Sequence, residues 1–140
     1  MKITVEHVPL EENEVILRCP HLDQEMLWVL SALRSGLQKL CAWDDRRQVT
    51  LLSPSEVVYC ESVDDRTFLY TPAAVYQTAL SLAELEGRYG SLGFFRAGKS
   101  SIVNLHRVRA LKSQPGGRIG VTLETGEKLV VSRHYAPLLR

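Results

Sequence analysis

The feature that most constrains the fold is a change of hydrophobic period partway along the chain. In the first third, apolar residues recur at alternating spacings of four and three, the pattern of an amphipathic helix: Met26, Leu30, Leu33, Leu37 and Leu40. After residue 47, short apolar runs alternate with polar residues and are separated by Pro, Gly and Asp turns, the pattern of β-strands. These strands do not alternate with helices, so the sequence predicts an antiparallel rather than a parallel sheet.

The predicted fold class is therefore α+β, mainly β: an antiparallel sheet assembly with a short helix, preceded by a small N-terminal β-β-α extension. In the extension, strands are expected at 3–8 and 15–19, before a helix that is capped by Asp23. A capping box formed by Ser81 and Glu84 predicts the short helix. The remaining strands are expected at 49–52, 57–61, 67–71, 74–78, 108–112, 118–124 and 128–132.

The charge distribution separates an acidic front from a basic back. Residues 91–140 hold nine basic and two acidic residues, a net charge of +7, whereas residues 1–90 have a net charge of −6. A basic C-terminal part is expected of a protein that binds a polyanion. The distribution equally fits a solvated surface whose two halves attract each other, and charge alone does not separate these interpretations.

Cysteine and histidine spacing indicates neither a disulfide framework, a metal site nor a cofactor. Cys19, Cys41 and Cys60 are widely separated and form no C-x-x-C pair, so buried or half-buried free thiols are expected. The four histidines are scattered, and their spacing suggests no catalytic set, so we expect no enzyme. No apolar run reaches the length of a membrane span and the N-terminus lacks a signal-peptide pattern, which predicts a cytoplasmic location.

Four stretches resemble the LytTR DNA-binding domain family. Residues 55–62 (SEVVYCES) are similar to its opening strand, and residues 81–86 (SLAELE) to its S-L-x-E-L-E helix. Residues 95–105 (FRAGKSSIVNL) are similar to its central F-x-R-x-H-K-S-x-[IL]-V-N signature, and residues 132–135 (SRHY) match its terminal S-R-x-Y. We therefore assign 48–140 to a LytTR-like DNA-binding domain and 1–47 to an extension with a dimerisation or regulatory role.

The resemblance implies a largely β, antiparallel sandwich fold. It also implies a bacterial transcription regulator, a response-regulator-like output domain whose loops enter successive major grooves of double-stranded DNA. Residues 1–47 are too few for the receiver domain of many family members, so the chain is similar to the stand-alone type. For that type, the resemblance implies a homodimer on paired half-sites and restraint by a small membrane protein. One position departs from the family: Gly98 stands where histidine is frequent, so a contact from that side chain is not carried over.

Arg133, Lys99 and Arg66 are the residues expected to contact bases. Arg133 lies in the S-R-x-Y motif, and its guanidinium can donate two hydrogen bonds to guanine O6 and N7. The resemblance implies DNA contacts at the position of Lys99 and from the loop that carries Arg66. Each cation could instead be solvated or paired with an acid. Phosphate contacts are expected from a second set: Arg96, Ser100, Ser101, His134 and Arg107. Asn104 of the central motif is expected to tie two backbone segments together rather than to contact bases.

Two other functions compete with DNA binding. Residues 93–100 (GFFRAGKS) satisfy the P-loop pattern G-x-x-x-x-G-K-[ST], but a nucleotide site needs a helix after the serine, and β-branched Ile102 and Val103 follow here. A protein-interaction module also remains open, acting by dimerisation or by binding a membrane regulator. Leu27 and Trp28 lie off the apolar stripe of the predicted helix, where they could be ordinary core or a subunit contact.

Overall fold

A computed structural model describes residues 1–139, which divide into two compact units, residues 1–34 and the chain from Ser35 onward. The first unit contains an extended segment and most of helix α1 (Gln24–Leu37). The Asp23 carboxylate accepts a 2.9 Å hydrogen bond from the amide of Met26, so the predicted N-cap is confirmed. The helix ends at Leu37, one stripe position earlier than predicted, because Leu40 begins a β-strand instead.

The extended segment contradicts part of the sequence prediction. Residues 1–23 form neither helix nor strand, so the strands predicted at 3–8 and 15–19 are wrong. Their apolar side chains are not buried: Ile3, Val5 and Ile16 are 86%, 75% and 66% exposed. An isolated two-stranded hairpin has no third element to cover its apolar face and is marginal in water, which explains why alternation alone produced no sheet.

The second face of α1 is also uncovered. Leu27 and Trp28 are 50% and 68% exposed, so the interpretation of these two residues as ordinary core is wrong. An exposed tryptophan beside an exposed leucine leaves the subunit contact as the remaining interpretation.

The second unit is built from ten antiparallel strands and one further helix, α2 (Leu82–Tyr89). The Ser81 hydroxyl accepts a 3.1 Å hydrogen bond from the amide of Glu84, and the Glu84 carboxylate accepts one of 3.2 Å from the amide of Ser81, as the capping box predicts. The strands are β1 (Leu40–Trp43), β2 (Val49–Leu52), β3 (Tyr59–Val63), β4 (Arg66–Tyr70), β5 (Val75–Thr78), β6 (Phe94–Gly98), β7 (Ser101–Asn104), β8 (Val108–Gln114), β9 (Arg118–Leu123) and β10 (Lys128–Val131).

Seven strands form one sheet in the order β2-β1-β5-β4-β3-β7-β6, and the last three form a second sheet in the order β10-β9-β8. The predicted mainly β, antiparallel fold class is confirmed. Strand β1 was not predicted: its residues Leu40 and Ala42 are fully buried, and it pairs with β2 along its whole length. The larger sheet therefore starts at Leu40, so the boundary predicted between residues 47 and 48 falls in a turn between two paired strands.

The two faces of the larger sheet pack against different layers. On one face, α2 contributes Leu85 and Tyr89 to a buried cluster with Leu69 and Ile102 of the sheet. On the other face, the three-stranded sheet buries its own apolar side chains against Tyr59, Ala97 and Val103; these side chains are Ile119, Val121, Leu123 and Val131. The sandwich holds β6 and β7 between two apolar layers, which fixes the hairpin that they form.

The cysteines agree only partly with prediction. All three are free thiols; Cys60 is buried in the core, but Cys19 and Cys41 are exposed, so the expectation of burial is wrong for these two. Cys41 is exposed because β1 alternates its side chains between the two faces of the sheet, and Cys41 points away from the face that buries Leu40 and Ala42. Burial raises the pKa of the Cys60 thiol, which disfavours its reactive thiolate.

Candidate nucleic-acid interface

The turn between β3 and β4 presents Arg66 at one end of the larger sheet. Val63 pairs with Arg66, and the two residues between them, Asp64 and Asp65, have φ angles of 51° and 61°. Two successive left-handed residues define the tight hairpin turn that matches the twist of the strands, and aspartate tolerates this conformation better than most residues. Arg66 is exposed directly beside the turn.

The hairpin between β6 and β7 presents Lys99 at the same end of the sheet. Gly98 pairs with Ser101, which leaves Lys99 and Ser100 in the turn, both exposed. The Arg96 side chain holds this turn, because its Nε donates to the carbonyl of Gly98 at 2.7 Å and a terminal nitrogen donates to that of Lys99 at 2.8 Å. A further nitrogen of Arg96 lies 3.8 Å from a carboxylate oxygen of Glu86. The carbonyls of the turn are thus fixed while the Lys99 side chain stays in solvent.

The segment after β10 presents Arg133 and His134. A single helical turn follows Ser132, whose carbonyl accepts hydrogen bonds from the amides of Tyr135 at 3.0 Å and Ala136 at 2.9 Å. Ala136 is fully buried and anchors the turn, whereas Arg133 and His134 are exposed. The ring of His134 meets that of Tyr135 edge-on, with centroids 4.8 Å apart.

Two backbone hydrogen bonds join these three segments into one surface. The amide of Ser62 donates to the carbonyl of Ser100 at 2.9 Å, which ties the end of β3 to the β6–β7 turn. The amide of Ser132 donates to the carbonyl of Ala97 at 2.8 Å, which ties the end of β10 to β6. The β6–β7 hairpin is therefore the central segment, with the Arg66 turn on one side and the Arg133 turn on the other.

Two neighbouring concavities show the same arrangement. One, of about 490 Å³, is lined by Arg66, Arg96 and Lys99, among other residues. The other, of about 680 Å³, is lined by Lys99, Gly116, Arg118, Ser132, Arg133, His134 and Tyr135. Because Lys99 lines both, the three predicted base-contacting residues lie in the order Arg66, Lys99, Arg133 along one exposed surface, which we call the loop surface. Oriented cations in a row of this kind create a positive potential that suits a polyanion.

Not every predicted residue lies on this surface. Arg107 follows the far end of β7, where its guanidinium donates to the Ser55 carbonyl at 2.8 and 3.0 Å and to a Glu124 carboxylate oxygen at 3.1 Å. Its donors are directed at the protein, so the structure gives it a tethering position away from Lys99. Arg96 does line this surface, but two of its nitrogens donate to carbonyls of its own hairpin and a third lies near Glu86. Ser101 is half-buried, whereas Ser100 is exposed beside Lys99.

Asn104 has the structural position that its place in the motif predicts. It is 2% exposed, and its side-chain amide donates to the Val57 carbonyl at 2.8 Å. Its side-chain oxygen accepts from the amide of His106 at 3.1 Å. The side chain therefore joins two segments that are far apart in sequence and cannot face a ligand.

Sequence reasoning did not assign Arg118 to the site. It lies at the start of β9, just after a turn in which Gly116 and Gly117 have φ angles of 80° and 77°. A Cβ added at Gly117 would stand 3.4 Å from Cγ of Arg133, so this turn packs close to that side chain. The Pro-Gly-Gly signal and the adjoining arginine were visible in the sequence, but only the fold brings them beside Arg133.

The P-loop interpretation does not fit the local structure. Residues 94–98 are strand β6, and Ser101–Asn104 is strand β7, so Lys99 and Ser100 connect two antiparallel strands. No helix follows Ser100 to direct its amides at phosphates, as that chemistry needs. Within residues 1–139 there is also no group of three or more His, Cys, Asp or Glu residues that could hold a metal ion. In the same described part of the chain, no helix combines the length and the apolar character that crossing a bilayer requires.

The architecture and its exposed cationic loops define the class of a β-sandwich nucleic-acid-binding domain. The sequence profile of the LytTr DNA-binding domain matches residues 47–140, and the chain belongs to this family. A solved LytTr DNA-binding domain from Bacillus cereus superposes with a TM-score of 0.68 at 23% identity, covering 74% of this chain and 94% of that one. The sensory transduction protein LytT of Bacillus cereus is 26% identical over 92 residues, 66% of this chain and 37% of the relative's length.

Proposed function

We propose that this protein is a transcription regulator that binds double-stranded DNA at specific sequences and inserts its loop surface into successive major grooves. The observation that carries the proposal is the alignment of Arg66, Lys99 and Arg133 on three turns that backbone hydrogen bonds hold together. Family membership supports DNA as the partner. Since the turns are narrow and project from strand ends, they supply side chains to a groove without a recognition helix.

In this proposal, Arg133 contacts guanine O6 and N7 with two donors, because its guanidinium is exposed and its backbone is anchored at Ala136. Lys99 and Arg66 contact bases in the adjoining grooves. Ser100 and His134 contact phosphates next to these readers, since both are exposed on the same surface. Arg96 and Arg107 contribute by holding the loop and the sheet, and Ser101 by packing beneath the Lys99 turn.

The test of this function is a selection from random duplex DNA with the purified full chain. We expect a single enriched motif, and the wild-type protein should bind it far more tightly than unselected DNA, by about 10³-fold or more. Enrichment of no sequence would remove the specific function and leave at most general DNA binding. Absence of binding to any duplex at low salt would remove DNA as the partner.

We further propose that the protein acts as a homodimer in the bacterial cytoplasm, where its DNA is found, and that the segment before the larger sheet provides the subunit contact. The support is the pair of exposed apolar residues on α1, Leu27 and Trp28. A small membrane protein that restrains the regulator is the second candidate for this helix face, on the basis of the family resemblance. Light scattering tests the first proposal: Trp28→Ser should lower the mass of the wild-type dimer to that of a monomer, whereas a monomeric wild type would contradict it.

A further inference from the structure

The three-stranded sheet has an outward face that carries three cations and no acidic residue. The register places Lys112 opposite Gly120, Thr122 opposite both Ala110 and Lys128, and Arg118 opposite Gln114. Residues paired in this way share a face, and the opposite face carries the buried Ile119, Val121 and Leu123. Arg118, Lys112 and Lys128 therefore occupy three successive rows of the solvent side, one cation in each row.

These cations are not neutralised by neighbours. The outward face carries no acidic residue; its remaining members are Ala110, Gln114, Gly120, Thr122 and Val130. In the described chain, ion pairs within 4 Å involve Arg96 with Glu86 and Arg107 with Glu124, and none of the three cations on this face. All three are exposed.

The face is continuous with the loop surface. Arg118 lines the same concavity as Lys99 and Arg133, and the next two rows lead away from that concavity along β9. Four residues of antiparallel strand separate the first row from the third, a distance of roughly 13 Å. One DNA strand presents about four phosphates over that length, since they follow at about 3.4 Å along the helix axis.

We propose that this outward face is a second DNA contact, which binds the phosphate backbone that flanks the sequence read by the loops. The inference rests on the proposed function and extends it, because these cations would add affinity without reading bases. The partner is duplex DNA, since exposed cations in successive rows of β8, β9 and β10, with no acidic residue among them, suit a regularly spaced polyanion better than a folded protein surface.

The experiment uses the full-length double variant Lys112→Gln/Lys128→Gln, whose positions lie outside the concavity around Arg133. Binding is measured against salt concentration on two duplexes, both carrying the motif that the wild-type protein selects. The first contains little more than the motif, and the second extends it on both sides by about one helical turn, roughly 10 base pairs. The matched control removes two charges elsewhere: Lys39→Gln/Arg88→Gln, at exposed sites before β1 and on α2.

On the extended duplex, we expect the test variant to reduce the slope of log K against log salt by about 2, with equal losses on selected and random sequence. On the short duplex, it should bind like the wild type, and the control variant should behave like the wild type on both. An unchanged slope on the extended duplex overturns the inference, and so does a loss that is equally large on the short one. The proposed function survives a failure of this inference if the wild type shows a steep salt slope on the extended duplex and Arg133→Ala still weakens binding. A wild type that binds neither duplex overturns both proposals.

An acidic protein partner is the alternative occupant of this face. It would be indicated if the test variant bound both duplexes like the wild type but failed to bind a synthetic polyglutamate that the wild type retains. That result would overturn the DNA assignment of the face.

Discussion

The amide of Ser132 donates a 2.8 Å hydrogen bond to the carbonyl of Ala97, and this bond joins the two segments that carry Arg133 and Lys99. Ala97 itself is fully buried between the two sheets, so the acceptor cannot move without disturbing the core. The spacing of the two cationic side chains is thereby set by backbone rather than by flexible side-chain packing. This preorganisation is the physical reason to expect sharp effects from single substitutions on the loop surface.

Removal of the Arg133 guanidinium should weaken binding and relax specificity together. We expect Arg133→Ala to cost about 1–3 kcal/mol on the selected site and to lose preference at one base pair, since two hydrogen bonds to guanine disappear. Competition binding with a set of single-base variants of the site measures both effects. Arg88→Ala, an exposed arginine on α2, is the matched control and should bind like the wild type. If Arg133→Ala weakens selected and random DNA equally, Arg133 contacts phosphate instead.

Affinity for duplex DNA should fall steeply as salt rises, because binding releases counterions from each phosphate that a cation neutralises. The slope of log K against log salt should be about −0.9 for each such phosphate, and Lys99→Gln should make it shallower by about 1 if Lys99 contacts a phosphate as well as a base. Fluorescence anisotropy at several salt concentrations measures this slope for the wild type and for Lys99→Gln. A salt-independent affinity would contradict phosphate-led binding.

Substitutions of Arg96 test whether this side chain acts through its charge or through the two hydrogen bonds that hold the turn. Arg96→Lys keeps the charge but cannot reproduce the two hydrogen bonds to the carbonyls of Gly98 and Lys99. We expect affinity to fall by about 1 kcal/mol with an unchanged salt slope, since the turn loosens while the number of cations stays the same. The opposite result, wild-type affinity in Arg96→Lys and a shallower slope in Arg96→Ala, would make Arg96 a phosphate contact.

Two glycines, one just before strand β6 and one at its last position, should respond very differently to alanine. Gly93 has a φ of 107°, and a Cβ there would stand 2.6 Å from Cδ2 of His106, so Gly93→Ala should lower the free energy of unfolding by roughly 1–3 kcal/mol. At Gly98 the nearest contact of an added Cβ is Ser101 Oγ at 3.7 Å, an ordinary distance. Gly98→Ala should therefore change the unfolding free energy by no more than about 0.5 kcal/mol. Urea denaturation compares the two, and equal losses would show that the strain argument is wrong.

Alkaline pH should reveal the titration of buried Tyr59, which stacks on the half-buried Tyr70. Tyr59 stacks on Tyr70 with ring centroids 4.1 Å apart, and burial, followed by the proximity of Tyr70, raises the pKa of Tyr59 to about 12. The unfolded phenol titrates near pH 10, so the stabilising contribution is complete below that pH and is lost as pH rises toward 12. Tyr59→Phe cannot ionise, so its unfolding free energy should fall less over this interval. If the unfolding free energies of the wild type and Tyr59→Phe fall equally between pH 10 and pH 12, the assignment of this titration to Tyr59 is contradicted.

The features that the sequence predicted well are local. The caps at Asp23 and Ser81 require residues only three positions apart, and both hydrogen bonds are present. The family motifs lie in β6, β7 and after β10, so their resemblance located the turns of Lys99 and Arg133. Asn104 follows the same logic, because its place in a recurring motif indicated a tie between backbone segments, and its bond to Val57 provides one.

The features that were missed depend on distant partners. Alternation at residues 3–8 predicted a strand, but a strand needs a partner to pair with, and the described chain provides none there. Leu40 continued the helical stripe in sequence, yet its pairing with Leu52 places it in the sheet. Arg107 was predicted to contact phosphate, and its hydrogen bonds to the Ser55 carbonyl could not be foreseen because that acceptor is 52 residues away. Arg118 was overlooked because only the packing of Gly117 against Arg133 brings it to the site.

The tight turn before Arg66 carries two exposed carboxylates, Asp64 and Asp65. Asparagine followed by glycine would adopt the same torsion angles, so geometry alone does not require acidic side chains. In the proposed complex, negative charge on this turn would weaken the attraction to DNA equally on every sequence. Because that loss is common to all sites, the choice among them would depend on the contacts that Arg66, Lys99 and Arg133 make with bases.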